Sequence, residues 1–285
     1  MTEAIARVRM AFEALARGDA QSQPRRRLIL KTGSILHQVP GAFGNYFGMK
    51  FYASNPKYGV HFLFSLYDAE TARPLALMEA NYLGQIRTGA ASGYATDLMA
   101  DPAAETLAVI GSGFQARSQV DAIRAVRPIK TVRVWSRRPE KREAFASAMK
   151  ATPTATAEEA IRGAQIVVTA TYAKDPVVED AWIAPGTHVN AMGSNIANRR
   201  ELPGELVRRA AVVAVDARDA AENEAGDIIM AGSWSNVVEL SEIQRGWGPD
   251  RITIFKSVGL GMEDVAAGSF VYEQAVKRAV GRTLE

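Results

Sequence analysis

From residue 105 onward the chain alternates short apolar, β-branched runs with helical segments, and this alternation constrains the fold more than any other feature. Residues 106–110, 131–135, 166–171, 188–192, 211–216 and 251–255 read as strands, and residues 114–126, 139–150 and 156–162 as helices. Strands that alternate with helices build a parallel sheet covered on both faces, so an α/β, doubly wound architecture is expected here.

The first strand of that series runs into Gly111-Ser112-Gly113-Phe114-Gln115-Ala116, which opens the next helix. Gly111 permits the tight turn, and Gly113 lets a pyrophosphate approach the backbone. Ala116, in place of a third glycine, is small enough for close helix–strand packing. The pyrophosphate would rest on free N–H groups at the positive end of the helix dipole. The strand–turn–helix context turns a weak string into a dinucleotide-binding expectation, the alternative being a glycine-rich turn that binds nothing. The second strand ends in Trp135-Ser136-Arg137-Arg138. NAD sites place a carboxylate there for the ribose 2′-hydroxyl, whereas arginine suits a 2′-phosphate. NADP is therefore favoured, and NAD remains open. Ligands gather at the carboxyl ends of parallel strands, which adds Thr171, Met192 and Gly193 to the expected cofactor site.

The first hundred residues follow different rules. Ile5, Val8, Phe12 and Leu15 recur at helical spacing over 3–17, with Gly18 placed to end the helix. Residues 28–78 carry short strands and turns of antiparallel meander character, with 48–52 reading as a strand end. A second helix, 86–99, is rich in glycine, alanine and serine, and Asp101-Pro102 closes it. Composition narrows the chemistry. There is no cysteine, so disulfides, thiolate nucleophiles and zinc–sulfur sites are excluded, and a reducing cytoplasm is the simplest compartment. The three histidines, His37, His61 and His188, lack metal-ligand spacing, and no metal is expected. Lys and Arg (34) nearly balance Asp and Glu (31), with no run of five like charges, so neither nucleic acid nor a membrane surface is demanded. No apolar run approaches the 18 or so residues of a transmembrane helix, and the first residues do not read as a signal peptide.

Several separated segments carry a resemblance to a known family. They are Gly48-Met49-Lys50, Leu75-Ala76-Leu77-Met78, Ile86-Arg87-Thr88-Gly89-Ala90-Ala91, the glycine turn, Gly193-Ser194-Asn195 with Arg200-Glu201-Leu202, Glu224-Ala225-Gly226-Asp227-Ile228, and Lys256-Ser257-Val258-Gly259. In this combination the chain resembles the ornithine cyclodeaminase/mu-crystallin family over nearly its whole length. The resemblance implies a Rossmann domain, residues 89–255, inserted into a discontinuous α+β substrate and dimerisation domain, residues 1–88 plus 256–285. It also implies a homodimer with its active site between the domains. The chain starts at or just before the family's first long helix.

The resemblance also assigns roles. Lys50 matches the lysine that contacts the substrate carboxylate and can serve in proton transfer, and Arg87 the arginine that clamps the same carboxylate. Arg27 sits where a second carboxylate-binding arginine is expected, with Arg25 and Arg26 beside it. Ser257 and Val258 match positions near the nicotinamide and the substrate. Arginine with lysine is a strong way to orient a carboxylate. Asn195 stands where family cyclodeaminases carry a catalytic aspartate, and asparagine cannot act as a carboxylate base. Reduction of a preformed imine needs only a hydride donor, a carboxylate clamp and a proton source. The expected activity is NAD(P)H-dependent reduction of a 2-imino acid or cyclic ketimine carboxylate, or the reverse oxidation. The alternatives are a cyclodeaminase using bound NAD and a non-catalytic NADPH-containing ligand-binding protein. His61 lies beyond Lys50, where it either faces the site or is a partly buried strand histidine.

Overall fold

The computed structural model describes residues 1–244 and 247–283. In chain order the first elements are α1 (Thr2–Arg17), β1 (Ala20–Ser22), β2 (Arg26–Ile29), β3 (Ile35–Phe43), β4 (Tyr46–Asn55), β5 (Gly59–Asp68), β6 (Pro74–Glu79) and α2 (Asn81–Met99). The alternating series follows: β7 (Thr106–Ile110), α3 (Phe114–Val126), β8 (Thr131–Trp135), α4 (Pro139–Met149), β9 (Thr152–Pro153), α5 (Ala157–Ile161), β10 (Ile166–Thr169) and β11 (His188–Ala191). Then come α6 (Gly204–Arg209), β12 (Val212–Val215), α7 (Arg218–Glu224), α8 (Gly226–Ile229), β13 (Val237–Glu239), β14 (Thr253–Lys256) and α9 (Gly261–Lys277). The chain forms two units: residues 1–5 with 88–258, and residues 6–87 with 259–285. The boundary therefore falls inside α2, between Arg87 and Thr88. No helix among the described residues is long and apolar enough to cross a membrane.

The larger unit is the expected doubly wound sheet. Its eight strands run in the order β13-β12-β14-β11-β10-β7-β8-β9, and every pairing is parallel. β7 pairs with β8 on one side and β10 on the other, so the chain reverses its winding at the end of β7. Such a switch point opens a crevice at the carboxyl ends of the strands, where ligands of this fold class bind. Leu107, Val109, Val120, Ile123, Val134, Phe145 and Val168 form the apolar packing on one face. Arg127, buried at the end of α3, donates to the carbonyls of Thr96, Asp97 and Ala100. It thereby satisfies carbonyls that the end of α2 leaves open.

The smaller unit is an antiparallel sheet in the order β1-β3-β4-β5-β6, with β2 also paired to β3. Its strands alternate. Gly48, Lys50 and Tyr52 of β4 and Phe64 and Leu66 of β5 are buried, whereas Phe47 and Leu63 on the opposite face are exposed. α9 packs on the buried face, because Gly41 and Gly261 allow backbone-to-backbone approach. A Cβ added to Gly41 would lie 2.3 Å from the Gly261 carbonyl carbon, and one added to Gly261 would lie 2.1 Å from the Pro40 oxygen. This contact fixes the first turn of α9 over β3 and β4.

Two expectations need correction. The segment 48–52 is the middle of β4 rather than a strand end, because backbone pairing with β3 and β5 continues on both sides of it. α2 begins at Asn81, five residues before its expected start; its extra turn carries Gly84, whose low helix propensity argues locally against a helix.

Candidate active site

In the smaller unit, strand alternation turns Lys50 to the buried face and leaves it 1% exposed. Its ammonium donates to the Asp264 Oδ1 at 2.8 Å and lies 2.7 Å from Oδ2. Arg87 donates from Nε to the same Oδ1 at 2.9 Å, and from Nη1 to Glu263 at 3.2 Å. Glu263 also accepts the Leu260 amide at 2.9 Å. The first turn of α9 thus supplies two fully buried carboxylates to two buried cations. A third cation, Arg25, is half-buried and donates to the Tyr52 hydroxyl at 2.9 Å and to the Gly259 carbonyl at 3.4 Å. Burial, then the Arg87 charge, bring Lys50 down from 10.5 to about 7, with Arg25 adding and Asp264 opposing. Next in the row, the His37 ring stacks on Tyr52 at 4.1 Å, and its Nε2 lies 2.9 Å from the Ser54 hydroxyl. Burial and then Arg27 and Arg25 hold His37 neutral, at about 4.

The arginine that shares this neighbourhood is Arg25. The expected Arg27 stands exposed on β2, paired with His37, whereas Arg25, two residues earlier and just outside the strand, is the one that donates to Tyr52 and Gly259. His61 is also set apart. It is exposed on β5, opposite Ala53, on the face away from Lys50.

In the larger unit, the remaining expected residues gather at the carboxyl ends of β7, β8, β10, β11 and β14. Gly111 has φ +118°, and an added Cβ would lie 2.4 Å from the Ala170 oxygen, so only glycine fits this turn. Gly113 is the N-cap of α3 and faces open space, Phe114 and Gln115 fill the first turn, and Ala116 is buried in the core. Ser112 donates to Ser136 at 2.8 Å, tying the glycine turn to the end of β8. Arg137 and Arg138 follow, exposed, with no carboxylate among residues 135–138. These features fit a dinucleotide: a cradle free of side chains at a helix N-terminus, and two guanidiniums at the ribose position. Met192 is buried, with its sulfur 3.1 Å from the Ser92 hydroxyl. Ser257 and Val258 are buried after β14, and the Val258 amide donates to Asp216. Asn195 lies partly buried in the loop after β11.

Sequence reasoning assigned no role to the carboxylates in either unit. In the larger one, fully buried Glu201 accepts from the Thr169 hydroxyl at 2.8 Å, the Thr171 amide at 2.7 Å, the Thr171 hydroxyl at 2.6 Å and the Gly193 amide at 2.7 Å. It therefore ties the ends of β10 and β11 together. Burial raises its proton affinity, against the Lys256 charge. Asp227 accepts the Glu201 and Leu202 amides at 2.7 and 2.8 Å and pairs with Lys256 at 2.8 Å. The one available signal was that Glu263 and Asp264 interrupt an otherwise small and apolar stretch.

The ornithine cyclodeaminase/mu-crystallin family matches residues 1–279. The chain belongs to that family. Within it, a Delta(1)-pyrroline-2-carboxylate reductase of Bacillus cereus is 40% identical over 237 residues, covering 77% of this chain and 73% of the relative. The Thermococcus litoralis Delta(1)-pyrroline-2-carboxylate reductase, solved with NADH and L-proline, superposes with a TM-score of 0.92 at 32% identity, covering 99% of this chain and 95% of that one. An archaeal alanine dehydrogenase, a dimer with bound NAD, gives the same TM-score and identity over 99% of this chain and 94% of that one. The ornithine cyclodeaminase/mu-crystallin fold, a parallel Rossmann-like sheet with a separate antiparallel sheet, is thus the fold of this chain.

Proposed function

We propose that this NAD(P)-dependent oxidoreductase of carbon–nitrogen bonds works as an NADPH-preferring reductase of 2-imino acids or cyclic ketimine carboxylates. The observation that carries the reading is the pair of buried cations, Lys50 and Arg87, joined through Asp264 in a family whose members include pyrroline-2-carboxylate reductases. Two buried cations are costly unless anions meet them, and a substrate carboxylate is a further anion of the right charge. Arg87 offers a planar fork for that carboxylate, and Arg25 a third positive group nearby. Lys50, poised near neutral pH, can hold or give a proton at the imine nitrogen, and a protonated imine accepts hydride far better than a neutral one.

The dinucleotide would be held by the glycine turn at residues 111–116, by Ser136, Arg137 and Arg138 at the ribose phosphate, and by Thr171, Met192, Gly193 and Ser257 towards the nicotinamide. When bound, its reduced ring supplies the hydride. Glu201 keeps Thr171 and Gly193 in fixed positions. Asn195 in place of an aspartate favours imine reduction over cyclodeamination. The exposed Phe47, Leu63 and Leu77 on the outer face of the antiparallel sheet support a homodimer, since apolar faces of this kind mark association surfaces. The cysteine-free composition supports a cytoplasmic location.

The test is oxidation of NADPH and NADH on a panel of pyrroline-2-carboxylate, piperideine-2-carboxylate, and pyruvate or oxaloacetate with ammonia or methylamine. Turnover of at least one imine with NADPH preferred is expected, and Arg137→Ala with Arg138→Ala should erode that preference. Ammonia release from ornithine without net redox change would make the protein a cyclodeaminase. Tight NADPH binding without turnover on the panel would make it a ligand-binding protein.

A further inference from the structure

Asp264 touches both cations of the clamp, and no part of its side chain is exposed. The charged and titratable groups around Lys50 come from several elements. Asp264 and Glu263 belong to α9, Arg87 to α2, and Arg25 to the segment before β2; His37 lies on β3 and Tyr52 on β4 itself. β5 places only the uncharged Phe64 opposite Lys50. His37 is neutral, and Glu263 is engaged by Arg87 and the Leu260 amide. Two arginines and burial therefore work to strip the proton from Lys50, and the anion in contact with its ammonium is Asp264.

We propose that Asp264 is a positioning residue that holds Lys50 and Arg87 at a fixed separation and sets the pH above which Lys50 has no proton to give. The proposal rests on the reductase reading above. In the step it governs, an N–H bond of the Lys50 ammonium breaks as the lone pair of the imine nitrogen takes the proton. The products are an iminium and a neutral Lys50 amine, which regains its proton from water. Without the carboxylate, the ammonium would be lost below neutral pH and the donor would be empty under working conditions. Without burial and the arginines, the lysine would stay near its ordinary value and be a reluctant donor. Asp264 also accepts from Arg87 Nε, so substrate binding at the guanidinium and proton affinity at the lysine meet in one side chain.

The experiment is the pH profile of kcat/KM for NADPH-dependent reduction of pyrroline-2-carboxylate by the full chain. D264N keeps the shape and removes the charge, so the basic limb should fall by about one pH unit or more. D264E, which restores a carboxylate, should return the limb towards the wild-type position. E263Q removes an anion from Arg87 but not from Lys50, and should raise KM while leaving the limb in place. An unmoved limb in D264N, or an equal movement in E263Q, overturns the proposal. Should D264N not fold, side-chain NMR of Lys50 in the wild-type protein gives an independent reading. Titration near neutrality supports the proposal, and titration near the ordinary 10.4 overturns it. If the wild-type protein binds NADPH but reduces no imine, the reductase reading fails by itself, and NMR titration of Lys50 in wild type against D264N still decides the role of Asp264.

Discussion

Each unit buries a lysine–aspartate pair, and the two pairs differ in what surrounds them. Lys256 and Asp227 lie 2.8 Å apart in the larger unit, and Lys50 and Asp264 lie 2.7 Å apart in the smaller one. Lys256 also donates to the Ser194 carbonyl at 2.6 Å, and Asp227 accepts two backbone amides. That pair is bound into the main chain and fastens the loops after β11. Lys50 instead shares its carboxylate with Arg87 and has Arg25 nearby. The same two residue types make a fastening where backbone groups complete the set, and a tunable proton site where a further cation competes.

Substitutions can break this contrast. Arg87→Ala should give the largest effect on turnover. Truncating one partner of a buried, hydrogen-bonded charge costs about 2–5 kcal/mol, so kcat/KM should fall by roughly 30-fold to several thousand-fold while NADPH affinity, measured by fluorescence titration, stays intact. Full activity in this variant would refute the clamp. Lys256→Met should instead act on stability. It leaves Asp227 buried without its cation, a loss of about 3–5 kcal/mol. All four tryptophans, Trp135, Trp182, Trp234 and Trp247, lie in the larger unit, so their emission during urea unfolding reports that unit alone. A midpoint unchanged from wild type would show that the pair is not a fastening.

A further expected effect concerns histidine. His37 in the smaller unit and His188 in the larger are held neutral, at about 4 and about 3, each chiefly by burial. Both lie below the unfolded value of 6.5, so the unfolded chain takes up protons first as pH falls. Stability conferred by the two neutral rings is complete above pH 6.5, declines from there to pH 4, and declines further towards pH 3 through His188 alone. Urea midpoints at pH 7, 5 and 4 should fall in that order, and His188→Asn should flatten the decline.

The larger unit was readable in sequence because its information is local. Each strand is a continuous apolar run, and Gly111 and Ala116 mark the turn by their size alone. Lys50 was harder. The resemblance singled out Lys50, but its own neighbours do not show what its ammonium meets, because its partner is a carboxylate 214 positions away. The three adjacent arginines pose a similar problem. Arg25, Arg26 and Arg27 are equivalent in sequence, and only the pairing of β2 with β3 leaves Arg27 exposed while Arg25 reaches Tyr52. Glu263 and Asp264 were hidden because acids at the start of a helix are common for dipole reasons alone. Glu201 and Asp227 lay within recognised segments, but their role is to accept main-chain amides, which no residue pattern announces.

The backbone contact between Gly41 and Gly261 carries a lesson for protein engineering. A mutagenesis library that varies either position would return mostly dead clones, since any side chain there would push the anchoring turn off the strands. The aromatic row in which His37 stacks on Tyr52, and Tyr52 on Phe62 of β5 at 4.6 Å, imposes no such prohibition, and it is there that diversity should be introduced to select for new amine products.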